Sequence, residues 1–240
     1  MNKIFIIGDS FCNDFYWITP PDGIEKCFWV DDLKSKFTNY DFILSGQGSR
    51  DIQTILEIWI RIMKDLNEND IVIICLPYFR RTRLPLSEKN YLETKYGDIT
   101  LYTRFTGTPN YDNRHDSLEF WGKENEWKFY LEKLQYQEVI NTTYAYQKTT
   151  IEVIESLYFL TKSKKYIFSW DDMDVKSDVI EDKSVITNNV GFWETNQDDY
   201  HNTHGKCGQL GDLHWSHKMQ KLFSNYIINK FNLKSEVKLI

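Results

Sequence analysis

"KIFIIGDS", residues 3–10, is an apolar run that stops at a glycine, an aspartate and a serine. Residues 3–7 are rich in Ile and Phe, long enough for a buried strand and too short for a helix. Gly8, Asp9 and Ser10 belong to residue types that favour turns and helix starts. Two readings of the stop are open. Asp9 or Ser10 caps whatever follows the strand, or Ser10 is a nucleophile held within reach of backbone N–H groups and a distant histidine.

Outward from this stretch, the chain alternates. "CFWVDDLKSKF" (27–37) sets Phe28, Val30, Leu33 and Phe37 at helical spacing, and "DFILS" (41–45) reads as a second strand entering a turn with two glycines. "SRDIQTILEIWIRIMKDL" (49–66) places Ile52, Ile55, Leu56, Trp59, Ile62 and Met63 on one helical face, with Ser49 or Asp51 as its cap. "IVIICL" (71–76) is apolar throughout, as a strand is when helices cover both faces of its sheet. Strand, helix, strand, helix, strand predicts a parallel sheet with crossover helices.

Residues 78–125 break the rhythm with scattered prolines, glycines and short extended pieces such as "DITLYTRF" (98–105). So long a connection reads as an insertion or lid within one domain spanning 1–240. Residues 125–163 read as a long helical stretch broken near 141–143, "KKYIFSW" (164–170) as a fourth strand and "SVITN" (184–188) as a weaker fifth. The closing "WSHKMQKLFSNYIINKF" (215–231) sets Met219, Leu222, Phe223 and Ile227 on one helix face.

Composition narrows the function. Of 240 residues, 29 are basic and 35 acidic, a net charge of −6 that argues against nucleic acid and anionic membranes as partners. No apolar run reaches the roughly 18–20 residues needed to span a bilayer, and no signal-peptide layout opens the chain. Four widely spaced cysteines make no CxxC pair, so a reducing, cytoplasmic setting is expected, with residence on a virion left open. The aromatic content of 16% suits a core, a ligand groove or a subunit contact.

In an open parallel sheet, ligands gather beyond the carboxyl ends of the strands. Loops 8–10, 45–51 and 76–83 should therefore lie side by side. "GQLGDLHWSHK" (208–218), if it folds to that edge, adds Asp212 and His214 to Ser10. The combination has a chemical logic. A serine hydroxyl is a poor nucleophile until a base takes its proton, and histidine titrates in the right range. A carboxylate fixes the histidine tautomer, and N–H donors at glycine turns stabilise the oxyanion. The amides of Ser10 and Gly48 are the donors expected here, with Gly46 as the alternative to Gly48.

"IFIIGDSF" near the start, a glycine turn at 46–48 and "DLHWS" (212–216) before a final helix together resemble the SGNH, or GDSL-like, hydrolase family. "GQGSRDIQTI" and "DLHWSHKMQKLF" look especially like its small phage and bacterial members. The resemblance implies a three-layer α/β/α sandwich of flavodoxin-like topology with an insertion after the third strand. It also implies a cofactor-free, metal-free serine esterase with Ser10 as nucleophile, His214 as base and Asp212 as its partner. Its substrate would be a small-molecule or carbohydrate ester. Two departures stand out: "LPYFRRTR" (76–83) holds no asparagine where the family's third oxyanion donor stands. Gly211 occupies the place three before the histidine, leaving Asp212 two before.

Arg80 and Arg81 are candidates for a substitute donor or an anchor for an anionic substrate group, against a plain solvated loop. Trp215 is a candidate sugar-binding face, against a core or interface role. A rival chemistry is a zinc site among His201, His204, Cys207, His214 and His217, whose gaps occur in such sites. A second rival is a catalytically idle subunit of the same shape, serving as a homo-oligomer or in a phage particle.

Overall fold

The computed structural model describes residues 2–9, 12, 27–46, 51–77, 79, 82–85, 91–94, 97–100, 102–105, 140, 143–169, 173–191 and 217–231. Its centre is a five-stranded sheet of β1 (Asn2–Gly8), β2 (Tyr40–Gly46), β3 (Ile71–Leu76), β8 (Lys164–Ser169) and β9 (Ile180–Glu181). The strands lie in the order β2-β1-β3-β8-β9, and every neighbouring pair is parallel. Counting only these five strands, that is the 2-1-3-4-5 order of flavodoxin-like folds. Between β3 and β8, β4 (Thr82–Pro85) pairs antiparallel with β7 (Tyr102–Phe105), and β5 (Tyr91–Thr94) with β6 (Gly97–Thr100). The predicted insertion after the third strand therefore carries two short antiparallel ribbons.

Strand side chains alternate between two cores. Ile4, Ile6, Ile71, Ile73, Cys75, Tyr166 and Phe168 face one way, and Phe5, Ile7, Val72, Ile74, Leu76 and Ile167 the other. This is why the sequence is apolar from Ile4 to Ile7 in β1 and throughout β3. The first core is covered by α1 (Trp29–Lys36), α4 (Lys183–Val190) and α5 (His217–Lys230); the second by α2 (Ile52–Met63) and α3 (Tyr144–Leu160). Helices on both faces make the expected three-layer sandwich. Trp29, absent from the stripe read for the first helix, is fully buried and meets Phe168 and Phe223 edge-on, at centroid distances of 6.0 and 5.3 Å.

The weak fifth strand expected at 184–188 is a helix instead. Asp182 caps α4, its Oδ1 accepting from Val185 N at 3.1 Å, and Gly191 closes it in the left-handed region at φ 67°. Those two end signals outweigh the β-branched residues between them, whose helix penalty is only a few tenths of a kcal/mol each. The fifth strand is the two-residue β9 just before the cap. The break expected near 141–143 is the start of α3, capped by Thr143.

Two aspartates, Asp182 buried and Asp32 half-buried, couple this fold to pH. Burial alone would raise the Asp32 carboxyl, but bonds from Lys221, Lys36 and Ser224 outweigh it and hold it below the ordinary 3.8. Asp182 is likewise raised by burial and lowered further by Lys176, Ser184 and the Val185 amide, with the same net direction. Folded-state values below the unfolded ones mean that their contribution is complete above about 3.8 and fades as pH falls through the lower, folded values. Melting temperatures followed from about pH 6 downward should therefore fall below about pH 4. Asp32→Asn and Asp182→Asn should each lower the plateau and flatten that acid limb. An acid limb unchanged in both variants would refute the assignment.

Candidate active site

Parallel pairing brings the carboxyl ends of β1, β2, β3 and β8 to one edge. The switch point lies between β1 and β3, since the chain leaves β1 for β2 on one side and returns to β3 on the other. In such sheets the ligand crevice opens there. Gly8, the last residue of β1, stands in register with Gly46, the last of β2, so the two expected glycine turns begin side by side. Gly46 is half-buried. Ser10, Gly48, Arg80, Arg81, Asp212, His214 and Trp215 lie outside the described residues.

Beside the switch point, the backbone after β1 is tightly packed. Asp9 is fully buried, and its carbonyl accepts from Cys12 N at 3.1 Å, so the chain turns back within three residues. Cys75, near the end of β3, directs Sγ at Asp9 Oδ1 at 3.8 Å, a thiol-to-carboxylate hydrogen bond across the two strands. A Cβ on Gly8 would stand 2.5 Å from Cys12 Sγ and 2.7 Å from Cys75 Cβ. Glycine is thus required at position 8 for space. Cys75, within the apolar run 71–76, is fully buried. Its bond to Asp9 went unforeseen, because nothing local relates residue 75 to residue 9.

The second turn ends at a cap. Asp51, 2% exposed, accepts from Thr54 N at 2.9 Å and Thr54 Oγ1 at 3.0 Å and so fixes the start of α2 at the same edge. Of the two caps expected from sequence, Asp51 is the one used; Ser49 lies outside the described residues.

The direction of α5 sets the edge at which that helix begins. Trp29 N, at the start of α1, donates to Gln220 Oε1 at 3.2 Å. Asp32 accepts from Lys221 Nζ and Ser224 Oγ, each at 2.5 Å, and Lys36 Nζ donates to Asn225 Oδ1 at 3.2 Å. Partners rise in number together, so α1 and α5 run side by side in the same direction. Since α1 leaves the carboxyl end of β1 and returns toward the start of β2, α5 also begins at the carboxyl edge. Cys12 and Met219, both fully buried, belong to one core cluster. The far end of α5 is tied to the edge strand: Glu181 accepts from Tyr166 Oη and Tyr226 Oη at 2.8 Å and from Lys230 Nζ at 2.5 Å.

Among the described residues, no group of three or more His, Cys, Asp or Glu side chains could hold a metal ion, and no helix is long and apolar enough to cross a membrane. The histidine run at 201–214 and the side chain of His217 lie outside them.

No family model matches the sequence, and no curated protein matches it. Among solved structures, the chain is similar to a lipase from a goat rumen metagenome, at 11% identity over 95% of this chain and 97% of that one, with a TM-score of 0.41. It is also similar to a member of the lipolytic protein G-D-S-L family from Veillonella parvula, at 12% identity over 98% and 100%, with a TM-score of 0.36. At these identities and scores neither likeness carries weight, and the fold stands on the topology described above.

Proposed function

We propose that the protein is a serine esterase of the SGNH type. Ser10 attacks the ester carbonyl, His214 takes its proton and delivers it to the leaving alkoxide, and Asp212 orients the imidazole. The amides of Ser10 and Gly48, with Gly46 as the alternative to the latter, hold the oxyanion. Water, deprotonated by His214, then releases the acyl group and restores the serine. An acyl group on a carbohydrate, such as acetyl, is the substrate class proposed, on the family habit and the aromatic surplus of 16%. Arg80, Arg81 and Trp215 would border it.

The observation that carries this reading is the shared direction of α1 and α5, fixed by the Trp29–Gln220 and Asp32–Ser224 bonds. It starts α5 at the edge where Asp9 begins the turn after β1. His214 is three residues upstream of His217, and a tether of that length reaches at most about 11 Å. The opposite direction would have started α5 at the wrong edge.

A fluorophosphonate probe tests the nucleophile. The hydroxyl of an activated serine displaces fluoride and leaves a stable phosphonyl ester. Purified protein should hydrolyse p-nitrophenyl acetate, lose that activity on labelling, and carry one adduct on the peptide containing Ser10. Hydrolysis that persists with Ser10 unlabelled would overturn the assignment. Neither labelling nor hydrolysis would favour the idle-subunit reading, to which the absent third-block asparagine and Gly211 already point.

A further inference from the structure

We infer that Asp32 is a positioning residue for the proposed hydrolysis, setting where α5 begins and thereby the point from which the three-residue tether to His214 starts. The inference rests on the assignment of Ser10 and His214 above. Asp32 is the second acidic residue of α1, and its side chain is only 11% exposed. Both carboxylate oxygens are engaged: Oδ1 accepts from Lys221 Nζ at 2.5 Å, and Oδ2 from Ser224 Oγ at 2.5 Å and Lys36 Nζ at 2.8 Å. Ser224 is fully buried, so its hydroxyl cannot exchange this acceptor for water without opening the helix pair.

The geometry suits positioning better than bulk stability. Lys221 and Ser224 are three apart on α5 and share one face, so a carboxylate gripping both fixes the helix in rotation and along its axis. Lys221 is in the second turn, close to the end of α5 that continues into 208–216. Sliding α5 by one residue moves its start about 1.5 Å, and a misplacement near 1 Å can cost about a hundredfold in rate. Sequence reading could see the Asp32–Lys36 pair at four-residue spacing. It could not see the partners 189 and 192 positions away.

Glu181 supplies an internal comparison. It too is a carboxylate that accepts from a lysine of α5, Lys230 at 2.5 Å, but at the end remote from the carboxyl edge. Asp32→Asn and Glu181→Gln should both lower the melting temperature. Only Asp32→Asn should reduce kcat for p-nitrophenyl acetate, by about tenfold or more with KM within about twofold. Only Asp32→Asn should also speed hydrogen exchange in a peptide covering 208–216. Lys221→Met, altering a side chain 41% exposed, repeats the test in a milder form should Asp32→Asn not fold, with kcat falling about threefold.

Equal kcat losses in the Asp32 and Glu181 variants, or unchanged kcat and exchange in the Asp32 and Lys221 variants, would overturn the positioning role. Ser10→Ala run alongside separates the two ideas. If it leaves hydrolysis intact, the nucleophile is misassigned. If it abolishes hydrolysis while Asp32→Asn does nothing, the positioning role alone fails.

Discussion

Ser10→Ala is expected to reduce kcat for ester hydrolysis by about 10⁵-fold or more, and His214→Ala by the same order. The two losses should not add. Once the hydroxyl is gone the imidazole has no proton to take, and once the imidazole is gone the hydroxyl stays protonated. The double variant should therefore be about as slow as either single one, with the oxyanion donors and substrate binding sustaining a residual rate. Asp212→Ala should be roughly a hundredfold milder, because losing the orienting carboxylate leaves a base that is still present part of the time. Initial rates with p-nitrophenyl acetate, corrected for the buffer reaction, read all four proteins. A Ser10→Ala protein retaining more than about a tenth of the wild-type rate would remove the nucleophile from the scheme. Severe losses at 10 and 214 with almost none at 212 would instead say that another carboxylate does the orienting. The spacing makes Asp212 the member of the trio this test challenges most, since Gly211 holds the place three before the histidine.

The sheet was legible in the sequence because its central strands are buried on both faces. "IVIICL" has no polar residue to hide, and all six of its residues are buried as β3. The amphipathic stripe of α2 and its Asp51 cap were legible for the same local reason: periodicity and capping act within a few residues. What failed was also local, but balanced. "SVITN" carries β-branched residues that favour a strand, while Asp182 and Gly191, just outside it, favour a helix. Reading the core of the segment without its ends gave the wrong element.

The site divides along a similar line. That the chain leaves β1 and β2 at neighbouring points follows from parallel connectivity, and Gly8 stands in register with Gly46. Where α5 begins could not be read from any window of sequence. It depends on which end of that helix lies beside the start of α1, and that is fixed by Trp29–Gln220 and Asp32–Lys221 bonds between residues nearly two hundred positions apart. The packing of Cys12 and Cys75 around Gly8 was hidden for the same reason. A cysteine in an apolar run looks like any small core residue.

That packing gives the largest structural effect expected in this protein. Gly8→Ala puts a methyl group 2.7 Å from Cys75 Cβ and 2.5 Å from Cys12 Sγ, both far inside van der Waals contact. The thiol of Cys12 can rotate away, but Cys75 Cβ is fixed to the backbone of β3, the neighbour of β1 in the sheet. Relief then requires β1 and β3 to part at the switch point, or the chain after Gly8 to swing out and stretch the Cys12 N to Asp9 O bond of 3.1 Å. Overpacking of this kind costs about 3 kcal/mol. For a chain of this size that is about 6–12 °C in melting temperature. Because the strain falls two residues before Ser10, activity should suffer beyond what stability explains, by about a hundredfold in kcat at a temperature where the variant is fully folded. Adding Cys12→Ala removes the sulfur contact but leaves the Cys75 contact, so the double variant should recover part of the lost stability and no more. A Gly8→Ala protein with wild-type melting and wild-type kcat would mean that β1 and β3 do not approach as closely as described. The packing account of the turn after β1 would then fall with it.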